Sequence, residues 1–136
     1  MAGLVCDIVT PVAKLYSSDA YMVVVPGVEG EMGFLKGHVP LVSVLSDGVA
    51  RIQVEQDGEQ IRFALQGGYV EVTGNKVIIL ADRALPAADV DVAAVRTEQS
   101  SLEAQIAQLS EAELAKTTLS ADLEWCHVQL HAAQAA

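Results

Sequence analysis

Between residues 29 and 42 the chain reads EGEMGFLKGHVPLV, which places two carboxylates two positions apart, a lysine and one of only three histidines among glycines. In an extended segment Glu29 and Glu31 share one side and could meet a cationic or polar surface. His38 could exchange a proton near neutral pH, but no acid or nucleophile adjoins it in sequence, so a contact or turn role outranks general-base work. Gly30 and Gly33 can supply positive φ, Gly37 permits a close backbone approach beside His38, and Pro40 holds the residue before it extended. The stretch reads as a loop that is either a working surface or a structural turn, and its residues alone leave both open.

A second cluster lies near the end of the chain. His127 and His131 are one helical turn apart, with Glu124 and Cys126 beside them. Such a pair could hold a metal. No further ligand is placed by the spacing, so a solvated helix face is the preferred reading and no metal or other cofactor is expected. Trp125, the sole tryptophan, is expected to pack on a neighbouring helix or on the β domain. The sequence contains no phosphate-binding loop, dinucleotide fingerprint, zinc pattern or nucleophile elbow.

The totals exclude several partners. Eighteen acidic residues against eight basic ones give a net charge of −10, which repels nucleic-acid phosphates and anionic lipid. No apolar run approaches the roughly 20 residues that span a bilayer, and the Met1-Ala2-Gly3-Leu4 start has no basic region followed by an apolar one, so no secretory signal is expected. Any membrane association must be indirect, through a partner. Cys6 and Cys126 stand at opposite ends of the chain without metal-ligand spacing and read as free thiols.

The elements that must position the candidate residues are legible as short strands. Residues 4–10 and 12–16 flank Pro11, Ser17-Ser18-Asp19 reads as a turn, and residues 20–25 end at Pro26-Gly27. Residues 41–45 turn at Ser46-Asp47-Gly48 into 49–55, where Ala50, Ile52 and Val54 alternate with Val49, Arg51, Gln53 and Glu55. Asp57-Gly58 reads as a two-residue hairpin turn, Ile61, Phe63 and Leu65 resume the alternation, and Gly67-Gly68 and Gly74-Asn75 bound the last strands. Eight or more strands at this spacing predict an antiparallel sandwich or flattened barrel over residues 1–85.

From Asp89 onward there is no glycine or proline, and Ala, Glu, Gln and Leu dominate. Val92, Val95, Leu102, Ile106 and Leu109 form one helical stripe, and Leu119, Leu123, Cys126 and Leu130 form another in a different register. The slip falls between about 110 and 118, where Ser110 and Glu113 have the form of a capping box. Residues 86–136 thus predict a helical hairpin of two antiparallel helices, with one long bent helix as the alternative.

Four pieces, Gly30-Glu31-Met32-Gly33-Phe34-Leu35, Gly37-His38-Val39-Pro40-Leu41, Gln66-Gly67-Gly68 and Ile79-Leu80-Ala81-Asp82, stand in this order ahead of the Asp-rich helix start. Together they resemble the epsilon subunit of bacterial F-type ATP synthase, over nearly the whole chain. The resemblance implies a non-catalytic rotor subunit, bound to gamma at the foot of the central stalk and peripheral to the cytoplasmic side of the cell membrane. It implies contact with the c-ring through Glu29, Glu31, Lys36, His38 and Pro40. It also implies helices able to fold on the sandwich or extend toward the alpha and beta subunits and restrain ATP hydrolysis. A stand-alone nucleotide-binding regulatory module is the alternative.

Two departures qualify what the resemblance implies. Of the run that binds ATP in some such subunits only Asp91 is kept, with Ala94 where an arginine would be and Leu85 where an upstream glutamate would be, so any ATP site is vestigial. From Asp89 onward Arg96 and Lys116 face eight acidic residues, so repulsion opposes docking on an acidic segment of beta, and weak inhibition is expected.

Overall fold

A computed structural model describes residues 3–134. Met1 and Ala2 of the expected signal-free start lie outside it, as do the outermost residues of the two predicted domains. Ten strands are followed by helices. They are β1 (Leu4–Val9), β2 (Lys14–Ala20), β3 (Met22–Gly27), β4 (Gly30–Phe34), β5 (His38–Val44), β6 (Gly48–Gln53), β7 (Gln60–Gln66), β8 (Tyr69–Gly74), β9 (Lys76–Leu80) and β10 (Arg83–Pro86). A single turn of 3-10 helix at Ala87–Asp89 leads into α1 (Val92–Ala107), the one-turn α2 (Glu111–Leu114) and α3 (Leu119–Gln134).

The strands form two five-stranded sheets, β2-β1-β9-β8-β5 and β10-β7-β6-β3-β4, packed face to face. Period-2 alternation drives this arrangement, since Leu4, Cys6 and Ile8, Ala50 and Ile52, Val70 and Val72, and Val77 and Ile79 all point into one sealed core. Pairing is antiparallel except between β1 and β9, which run parallel with Cys6 opposite Val77. This corrects the all-antiparallel expectation. Turn residues report neighbours joined by hairpins, whereas β1 and β9 meet only after the chain has travelled round both sheets.

Three local expectations also change. Ser17–Asp19 is not a turn but part of β2, where the Ser17 hydroxyl donates to Asp7 Oδ1 at 2.7 Å. The β6–β7 connection spans residues 54–59, longer than a two-residue hairpin, with Asp57 at φ 62° and the Gly58 amide bonded to the Glu55 carbonyl. Residues 29–42 are mostly strand, because β4 and β5 pair along β3 and β8.

The chain passes between sheets at corners, and most of the distinctive sequence pieces mark them. At Gly67-Gly68 the chain leaves β7 for β8 with φ of 65° and 97°, and a Cβ on Gly68 would run into the Leu80 carbonyl. The Asp82 amide bonds the Gln66 carbonyl at 3.0 Å, tying this corner to the β9–β10 corner.

The helices form a hairpin with a capped joint. The Ser110 side chain accepts from the Glu113 amide while Glu113 accepts from the Ser110 amide, both at 3.1 Å, so the capping box read from sequence starts α2. Val95 and Leu102 of α1 pack on Leu119, Leu123, Cys126 and Leu130 of α3, which settles the two-helix reading over one bent helix.

Candidate functional site

Residues 29–42 build one entire long side of the sandwich. β4 is the edge of one sheet, β5 is the edge of the other, and residues 35–37 join them in a tight turn. The β5 edge is blunted. Pro40, which has no amide hydrogen to offer, sits where the pairing of β5 with β8 shifts between His38 and Leu41.

The five candidate residues are strung along this side and are not gathered in one cleft. Glu29 is exposed in the β3–β4 turn. Glu31 leaves the outer face of β4 and meets Arg51 of β6 through both carboxylate oxygens, at 3.2 and 3.3 Å. Lys36 is exposed in the turn at the far end, roughly 20 Å from Glu29 at 3.3 Å per extended residue. His38 sets its ring edge-on to Phe34, centroids 5.0 Å apart, with Nδ1 2.7 Å from the Val39 carbonyl. Pro40 is exposed at the bulge. Glu29 and Glu31 do not share one side of an extended segment, because Gly30, at φ 124°, turns the chain between them. The arrangement offers polar contact points along an edge and no convergent acid, base and nucleophile.

Asp91 has a structural task. Its carboxylate caps α1 by accepting from the Ala94 amide at 3.1 Å. Among the described residues no group of three or more histidines, cysteines and acids could hold a metal. His127 lies 3.6 Å from Glu124 on an exposed turn of α3. Both cysteines are free and buried. Burial, with Asp7 adding to it, pushes the Cys6 thiol up to about 12, which keeps it protonated and unreactive.

Sequence reasoning missed the outer face of the sheet β2-β1-β9-β8-β5. The helices cover the other sheet, where Trp125, Val128 and Ala132 of α3 lie on Ala64, Val49 and Ala87. The face they leave bare carries Val42 and Val44 of β5, 66% and 58% exposed, and Tyr69 of β8 directly across from Val44. Exposed Val5 and Leu15 continue it on β1 and β2. The signal was present as unusually apolar outward positions in these strands, but which sheet face the helices take cannot be read from alternation. On the same face Asp7, its side chain 6% exposed, is held below the usual carboxylate range by the Ser17 hydroxyl and by Lys76 and Lys14, each 3.4 Å away.

A two-sheet sandwich with a docked helical hairpin, one uncovered sheet face bearing an apolar strip and polar residues along an edge defines the class, a β-sandwich protein with a C-terminal helical hairpin. The profile of the family described as ATP synthase, Delta/Epsilon chain, beta-sandwich domain matches residues 4–87. ATP synthase epsilon chain 2 of Ralstonia nicotianae is 38% identical over 136 residues, covering 100% of this chain and 96% of that one. The ATP synthase epsilon chain of Pelotomaculum thermopropionicum is 40% identical over 102 residues, 75% of each. A chain in the cryo-EM structure of the Euglena gracilis mitochondrial ATP synthase, OSCP/F1/c-ring in rotational state 1, superposes with TM-score 0.79 at 22% identity, over 98% of this chain and 82% of that one, which shows a shared fold. The chain belongs to the ATP synthase epsilon chains, and is a rotor-stalk subunit of that membrane-associated enzyme complex. None of its described helices is long and apolar enough to cross a membrane.

Proposed function

We propose that this chain couples rotation to ATP synthesis without chemistry of its own, gripping gamma with the bare face of the sheet β2-β1-β9-β8-β5 and resting the β4–β5 edge on the c-ring. The observation that carries this is the uncovered apolar strip of Val42, Val44 and Tyr69. A solvated sheet face is ordinarily polar, and contiguous exposed valine and tyrosine are costly unless a partner covers them. The edge beside the strip presents Glu29, Glu31, Lys36, His38 and Pro40, polar groups suited to the polar loops of a ring, on the cytoplasmic side of the membrane.

The reading is tested at both surfaces. Val44→Asp puts an unpaired charge into the strip, and co-purification with gamma is expected to fall at least about tenfold while the isolated chain stays folded. Undiminished co-purification would remove the strip from the gamma interface. In the assembled enzyme, Glu31→Ala or His38→Ala is expected to lower ATP synthesis relative to proton flow, and unchanged coupling in both would move the ring contact elsewhere.

The domain division at residues 85 and 86 is read functionally as a fixed sandwich and a regulatory hairpin facing the alpha and beta subunits. Eight acids against two basic residues from Asp89 onward make its inhibition weak, measured as a small change in ATPase rate when residues 89–136 are removed. With Asp91 spent on capping α1 and no arginine at 94, ATP is not sensed there; tight ATP binding that depends on Asp91 would restore the alternative of a nucleotide-binding regulatory module.

A further inference from the structure

The sheet beneath α3 contains a pair of arginines that the coupling function does not use. Arg51 of β6 and Arg62 of β7 are directly opposite each other in the antiparallel register, both on the outer face. Like charges in that position repel and lower sheet stability. Two of the four arginines of a chain with net charge −10 have been placed together at that cost. Glu31 forks onto the two terminal nitrogens of Arg51, but Arg51 Nε is buried without a hydrogen-bond partner. Arg62 makes no ion pair or side-chain hydrogen bond among the described residues. Both line an open recess of about 360 Å³, bordered on one side by His131 of α3 and on another by Gln60. Asp47 also borders it, with Oδ1 occupied by the Gly67 amide at 2.9 Å.

We propose that this recess binds a small phosphate-type oxyanion, with Arg62 as its principal ligand, Arg51 as the second cation and His131 and Gln60 as flanking donors. Guanidinium forks match the oxygen geometry of phosphate, and an anion between two facing arginines turns their repulsion into attraction. Of the chain's negative charge only the Glu31 and Asp47 carboxylates that line the recess oppose an anion directly, Glu31 being paired with Arg51 and Asp47 with the Gly67 amide, because at about 0.1 M salt charges beyond roughly 10 Å are screened. The recess is far too small for a nucleic acid, and it is separate from Asp91, whose carboxylate caps α1.

The test is calorimetric titration of the full chain with inorganic pyrophosphate and with inorganic phosphate, alongside thermal unfolding. Saturable one-to-one binding is expected, together with a rise in Tm on adding the anion. Arg62→Gln is expected to weaken binding at least about tenfold, the loss of one charge-assisted contact, and to abolish the anion-dependent rise in Tm. Without anion this variant should unfold no earlier than the parent, since it removes the like-charge pair, so loss of binding cannot be put down to loss of fold. Glu31→Gln frees Arg51 and should tighten binding. Absence of saturable binding, or affinity unchanged by Arg62→Gln, would overturn the proposal. Sedimentation with phosphatidylglycerol vesicles that depends on Arg62, without binding of either free anion, would assign the phosphate to a lipid headgroup and overturn the soluble ligand.

Discussion

The sandwich closes its core with residues drawn from both sheets, from Leu4 on β1 to Ala81 after β9, and its central side chains are wholly removed from water. The hairpin buries only Val95 and Leu102 against Cys126 and its neighbours, and rests on the sandwich through a second small patch, Val128 and Ala132 over Ala64. A sealed two-sided core is cooperative, whereas two short helices with one narrow seam depend on what they lie against. The same chain thus joins a scaffold with a large sealed core to an element with two small ones, whose docking is expected to be the weaker of the two. The polar ties across that junction are few: Arg83 to Asp122 at 2.8 Å, and the Gln66 side-chain amide to the Ala121 carbonyl at 2.7 Å.

The largest effect is expected at the sandwich core. Ile52→Ala, at a site with no exposure, should cost about 2–5 kcal/mol of unfolding free energy. Sandwich and hairpin should then melt together, read in parallel by tyrosine and Trp125 fluorescence. Independent survival of the hairpin signal would show that the helices do not depend on the sandwich.

A smaller effect on the scaffold but a large one on docking is expected for Ala64→Glu, which sets a carboxylate under α3 where Ala64 is fully buried. Emission from Trp125 should shift to the red and amides of α3 should exchange faster, while the urea midpoint of the sandwich moves little. Collapse of both signals at once would mean that the two regions form one cooperative unit.

The least effect is expected at the rim. Arg83→Ala removes a partly exposed ion pair and should weaken docking by about 0.5–1 kcal/mol. Arg83, with Thr118 assisting, holds the Asp122 carboxyl below its ordinary value of 3.8. A carboxyl lowered on docking contributes stability that is present above that ordinary value and lost as pH falls through the lowered one. Docking should therefore weaken below about pH 4, and Arg83→Ala should flatten that dependence; an unchanged profile would mean the pair is not formed in solution.

Much of this is legible in the sequence. The alternation of Ala50 and Ile52, the glycine corners, the break at Pro86 and the Ser110–Glu113 capping box are local signals, and each is set by backbone geometry within a few residues. The candidate stretch stands out in composition, but its form is mostly strand. Glycines every few residues resemble a loop, but two of them, at 30 and 37, only release the ends of an edge strand whose middle is held by β3.

By itself the sequence determined the sandwich and the helical hairpin, because periodicity, turn chemistry and capping act over short separations, while the family rests on the resemblance of its four motifs to those of the epsilon chains. The tertiary structure alone decided which faces are used. It laid α3 on one sheet and left the other bare, split Glu29 and Glu31 across a glycine turn, brought the β1 and β9 strands together in parallel, and faced Arg51 with Arg62. Each of these depends on the register between segments far apart in the chain, where pairing is chosen by the burial of whole faces and no local residue records the outcome.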